Sequence, residues 1–141
     1  MKSVFLYARI ALGAAFLSGI ASRFGWWGKG VGYGTFENFV AYTAQVNSFM
    51  PKAAIPFLAW SATFAEFTLG MLLIVGLWPR AVGIASAVLL ALFATAMAIS
   101  FGIKSPLDYS VYSASACALL LALGYPQNAT HEERGVVGLQ P

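Results

Sequence analysis

The sequence predicts an all-α integral membrane protein: a four-helix transmembrane bundle with a long, aromatic, partly helical first loop. Three observations predict it. Hydrophobic residues make up 60% of the 141 and charged residues only 9%, against roughly 25% charged in ordinary soluble domains. The mean hydropathy is +0.76. Apolar residues gather in four runs, near 4–22, 55–77, 81–101 and 108–124, and a spanning helix needs roughly 20 mainly apolar residues. Residues 1–124 read as one membrane domain and 125–141 as a polar tail.

The first run starts on Lys2, and Gly19-Ile20-Ala21 resembles a signal-peptide cleavage site. Arg9 within the apolar stretch argues for a retained helix instead. The connection that follows is long. It opens on Gly25, Gly28, Gly30, Gly32 and Gly34, interleaved with Trp26, Trp27 and Tyr33. Thr35 then caps an expected amphipathic helix over 35–50, whose Phe36, Phe39, Val40, Val46 and Phe49 recur at helical spacing and which Pro51 ends. Loops of this length are usually functional. Two readings stand: an aromatic belt in the headgroup layer, or a binding lid over the bundle.

The second run carries Glu66 near its middle. A carboxyl group at membrane depth is expensive and rare. Its insertion cost is roughly 2.5–3.5 kcal/mol, while each Leu, Ile, Val or Phe returns roughly 0.3–0.6 kcal/mol. About eleven such residues surround it, so the run still inserts. Trp78-Pro79-Arg80 is a tight turn that makes the second and third runs antiparallel neighbours. Pro106 breaks the chain before the fourth run, where Asp108 suits a helix N-terminus.

Small residues recur every four positions: Ala11, Ala15 and Gly19; Ala62, Glu66 and Gly70; Gly83, Ala87, Ala91 and Thr95; Ser110, Ala114, Ala118 and Ala122. Helices in lipid associate through such close-packing faces. Glu66 is therefore expected to face its neighbours. Its expected partner is Arg9, which antiparallel runs place about 7 Å inside the boundary from which Glu66 lies about 16 Å, at 1.5 Å per residue. A paired Glu66 is a structural clamp. A neutral one could pass a proton or meet a ligand. Alternatively Arg9 snorkels outward.

The net charge of +3 comes from single, scattered cations, and no basic patch points to nucleic acid. Most sit at run ends, where they reach headgroups. Arg23, Lys29, Lys52 and Lys104 fall on one side and Lys2, Arg80 and Arg134 on the other with Arg9 near it, so charge gives no clear orientation, and cytoplasmic termini are the expectation. The single Cys117 excludes an internal disulfide, and the one histidine, His131, lies in the tail. No metal-ligand spacing or nucleotide-binding glycine motif is present. The chain is expected to hold no cofactor of its own. Any redox role would need a diffusible quinone or a partner. Asn128-Ala129-Thr130 matches a glycosylation acceptor, a short and common pattern.

The string Ala65-Glu66-Phe67-Thr68-Leu69-Gly70, running on to Gly76-Leu77-Trp78-Pro79-Arg80, resembles the DoxX family of small four-helix membrane proteins. Arg9-Ile10-Ala11-Leu12-Gly13 with Gly19 resembles that family's first helix, although Arg23 stands where the family often has Gly then Lys. The resemblance runs over about residues 4–124. It implies Arg9, Glu66 and Arg80 as family-pattern residues, and a link to membrane redox complexes such as thiosulfate:quinone oxidoreductase. The resulting expectation is a small, possible-quinone-contacting membrane subunit in a bacterial plasma membrane. Glu66 and Arg9 are candidate catalytic residues, and Trp26, Trp27 and Arg80 candidate cofactor contacts. Expected partners are lipid and other membrane subunits, with self-association open. The alternatives are a non-catalytic anchor or assembly subunit and a small proton-coupled transporter.

Overall fold

A computed structural model describes residues 2–124. The tail, with His131 and the glycosylation pattern at Asn128, lies outside the described residues. The described chain is helical. In order, α1 is Lys2–Arg23, α2 Phe36–Val46, α3 Ile55–Val75, α4 Pro79–Phe101, α5 Lys104–Asp108 and α6 Val111–Gly124. A turn of 3-10 helix, Lys52–Ala54, leads into α3.

Three segments among the described residues are long and apolar enough to cross a membrane: Lys2–Arg23, Lys52–Val75 and Pro79–Phe101. With α6 as a fourth, shorter apolar helix, they make this an integral membrane protein. The 14 residues of α6 amount to about 21 Å at 1.5 Å per residue, short of the ~30 Å hydrocarbon layer. This helix starts later than the expected residue 108 because Tyr109 leaves helical ψ and Ser110 turns to φ 56°. Lys104 and Asp108 join as an i,i+4 pair at 2.5 Å on the short α5.

Helix ends follow local chemistry. The Thr35 hydroxyl accepts the Asn38 amide at 3.2 Å and caps α2, with Glu37 in the first turn. The loop helix is shorter than the expected 35–50, ending at Val46, where the Asn47 amide reaches back to Thr43 O. α3 stops at Gly76, which is left-handed at φ 85°.

Two antiparallel helix pairs form the body. α1 lies along α3, with Phe16 and Leu17 against Gly70. α4 lies along α6, where Gly83 meets Ala118 and Ala122, and the Ser115 hydroxyl donates to Ala87 O at 2.7 Å. Leu12, Phe16, Leu73, Val82, Ala87, Ala118 and Leu121 form the shared core. Large apolar side chains such as Phe57, Phe64, Leu92 and Leu120 point outward, as expected when the solvent is hydrocarbon.

Candidate ion-pair site

Contacts along α1 and α3 fix their register. Arg9 meets Leu73 and Ile74, Gly13 meets Gly70 and Ile74, Gly19 meets Glu66, and Arg23 meets Thr63 and Glu66. The last residue of α1 thus lies beside a position eight residues into α3, about 12 Å along its axis. The C-terminal end of α1 stops well short of the membrane face where α3 begins. Residues 24–35 and α2 fill the space.

Ser22 folds that segment back. Its carbonyl accepts the Gly34 amide at 3.0 Å and its hydroxyl accepts the Tyr33 amide at 3.0 Å. The returning chain lays Phe39 over Arg23, with the guanidinium carbon 3.8 Å from the ring centre. Further rings extend the cover: Tyr33–Phe39, Phe36–Phe39, Phe24–Phe36, Phe36–Trp60 and Trp60–Phe64 all lie 4.3–5.8 Å apart.

Beneath them sits a closed ion pair. Arg23 Nη2 donates to both Glu66 oxygens at 2.7 Å, and Nη1 donates to the Thr63 hydroxyl at 2.9 Å. That hydroxyl donates in turn to Ala59 O at 2.7 Å. Arg23 is 4% exposed and Glu66 5%. Arg23 Nε has no hydrogen-bond partner. Gly19 permits the close approach: a Cβ there would stand 3.2 Å from Glu66 Oε2. The cation and the carboxylate neutralise each other, which makes burial of both bearable.

The expected Arg9–Glu66 pair is therefore corrected. Arg9 lies opposite the end of α3, where Nε donates to Leu73 O at 2.9 Å and Nη2 to Ile74 O at 3.1 Å. Leu73 stands seven residues beyond Glu66, about 10 Å further along α3. Sequence reasoning missed Arg23, Thr63 and Phe39. Two signals pointed to the first pair. The stripe Ala11, Ala15, Gly19 continues by four to Arg23, and Thr63 precedes Glu66 by three on one helical face.

Of the other candidates, Trp26 and Trp27 are exposed beyond the end of α1, with Trp27 Nε1 donating to Ser18 O at 3.2 Å. Arg80 is exposed at the start of α4, by the opposite membrane face. The structure does not bring Arg80 together with the tryptophans. Among the described residues, no three His, Cys, Asp or Glu side chains come close enough to hold a metal ion.

In the loop layer, burial and the neighbouring Tyr42 hydroxyl push the Tyr33 phenol from 10.0 to about 12, and burial raises Tyr42 as well. An outward-facing apolar groove of about 630 Å³ runs between α3 and α4, with Phe64, Thr68, Leu69, Val88 and Leu92 in its walls. Phe64 thus belongs both to the groove and to the ring series that covers Arg23.

No curated protein and no solved structure matches the chain. A sequence model of the DoxX family matches residues 4–101, which hold Arg9, Arg23, Glu66 and Arg80 but stop short of α5 and α6. Because that match covers more than half of the 141 residues, the protein belongs to the DoxX family.

Proposed function

We propose that this protein is a small membrane subunit of a quinone-linked redox system, seated in a bacterial plasma membrane with its termini cytoplasmic. One observation carries the reading. A series of aromatic rings leads from the buried Arg23–Glu66 pair through Phe39, Phe36 and Trp60 to Phe64, which lines an apolar groove. A planar quinone head would stack on Trp60 and Phe64, and its hydrocarbon tail would lie along the groove. In this reading the ion pair is not the reacting group. It braces the loop that holds the rings.

The test is Trp60→Leu in native membranes with partner subunits present. Trp60 is exposed and outside the core, so folding should survive. Quinone reduction should slow, and an unchanged rate would sink the reading.

A non-catalytic anchor or assembly role is favoured by a different observation, the closure of the pair itself: both Glu66 oxygens are occupied. Stable co-elution with a larger complex, with no quinone in the extract and no effect of Trp60→Leu, would select it. The same closure weakens a proton-coupled transporter, since both carboxylate oxygens are already taken by Arg23. Flux in proteoliposomes across a pH gradient checks that alternative.

A further inference from the structure

We infer that the membrane face where α1 begins and α3 ends is a binding surface for anionic phospholipid headgroups. Three cations belong to it: Lys2 and Arg9 on α1 and Arg80 in the first turn of α4. Among the described residues this face has no acidic side chain, and none of the three is in an ion pair. The opposite face differs. There Lys29, Lys52 and Lys104 are offset by Glu37 and Asp108, and Lys104 is held by Asp108.

The cations stand at the right depth for lipid phosphate. Arg9 lies level with the end of α3, and Lys2 is seven residues further out on the same helix, about 10 Å along the axis. Arg9 gives Nε and Nη2 to carbonyls, which leaves Nη1 with no hydrogen-bond partner among the described residues. Arg80 is exposed, and its planar fork matches phosphate oxygens. Tyr7 and Trp78, 76% and 70% exposed, are the amphipathic rings expected at headgroup level. Val75 and Leu77, also exposed, lie beside Trp78 along the chain, so an occupant here meets apolar surface below the charges. That favours a phospholipid over a free phosphate ion. A juxtamembrane cation is worth about 1 kcal/mol towards an anionic leaflet.

The experiment uses the full chain in detergent, with lipid retention read by native mass spectrometry for phosphatidylglycerol against phosphatidylcholine. Phosphatidylglycerol should be retained in preference. Arg80→Gln should lower that preference about fivefold, the equivalent of about 1 kcal/mol, and Lys2→Gln should lower it further. Lys104→Gln, on the other face, should leave it unchanged. Arg80 and Lys2 are both exposed, and among the described residues neither is in a hydrogen bond or ion pair of its side chain, so loss of folding should not blur the result. Equal retention of the two lipids would overturn the inference. So would a Lys104→Gln effect as large as that of Arg80→Gln, or inorganic phosphate displacing the lipid at millimolar level.

Discussion

The two arginines of α1 meet the same problem in opposite ways. Both are charged groups on a lipid-spanning helix, and both turn towards α3. Arg9, half-buried near the membrane face, donates to two main-chain carbonyls at the end of α3. Those carbonyls are among the last four of the helix and lack partners within it, and the negative end of the helix dipole favours a cation there. Arg23, buried at depth, meets a full countercharge on Glu66. Near the face, water and headgroups share the work of solvation, so partial charges suffice. At depth nothing shares it, and a carboxylate is required.

The largest test of that contrast is removal of one partner of the deep pair. Arg23→Leu leaves Glu66 buried and uncompensated and should cost about 3–5 kcal/mol, read as thermal or denaturant unfolding in detergent. Glu66→Leu should cost a similar amount. The double variant Arg23→Leu with Glu66→Leu should recover most of the loss, since a buried pair is often replaceable by apolar side chains. If each single variant were as stable as the parent, depth would not be what demands the countercharge.

At the shallow site the loss should be smaller. Arg9→Gln removes two charge-assisted hydrogen bonds, worth about 1.5–3 kcal/mol together with the carbonyls left behind. Arg9→Lys should restore only part, because a point charge cannot reach both carbonyls as a fork does. Gly76 supports this end of the comparison. It is left-handed at φ 85°, and a Cβ there would collide with the Arg9 guanidinium. Gly76→Ala should therefore weaken the same end of α3 by about 1–3 kcal/mol. An Arg9→Gln loss equal to that of Arg23→Leu would erase the distinction between shallow and deep.

Much of this was legible in the sequence. Composition and run length point to the membrane class, and Glu66 marks the site because no other acid stands in the middle of an apolar run. The partner was misread for a geometrical reason. If α1 and α3 each crossed the membrane from boundary to boundary, Arg23 would lie at a face and Arg9 nearer to Glu66. In the fold α1 is slid along α3, and the loop after it folds inward on Ser22. No local propensity encodes that slide. It is set where Phe16 and Leu17 settle against Gly70 and where Gly19 lets the carboxylate in. The stripe through Ala11, Ala15, Gly19 and Arg23 did encode the facing side, but a stripe gives rotation about the axis, not translation along it.

The cover over the deep pair sharpens the comparison further. Phe39 lies on the Arg23 guanidinium at 3.8 Å and is 6% exposed, while among the described residues no ring lies over Arg9 in this way. Phe39→Leu keeps most of the apolar volume and removes the ring face. It should cost about 0.5–2 kcal/mol beyond the change in packing. The same substitution combined with Arg23→Leu should cost little more than Arg23→Leu alone, because the ring then has no cation to face. A double-mutant cycle with no coupling would reduce Phe39 to a packing residue.

The smallest expected effect lies in the loop layer and carries a pH signature. The Tyr33 phenol is held at about 12 against its ordinary 10.0, chiefly by burial. A group whose pKa is raised by folding stabilises the fold fully below its unfolded value and loses that contribution as pH rises through its folded value. Stability should thus fall between about pH 10 and 12, and Tyr33→Phe should flatten that part of the profile. The amplitude should be small because Tyr33 is only half-buried and solvent screens it. Titration of tyrosinate absorbance, compared between the parent and Tyr33→Phe, reads the phenol directly. Were the difference spectrum centred near pH 10, the loop would not seal the layer above Arg23, and the pair beneath it would be open to water from that side.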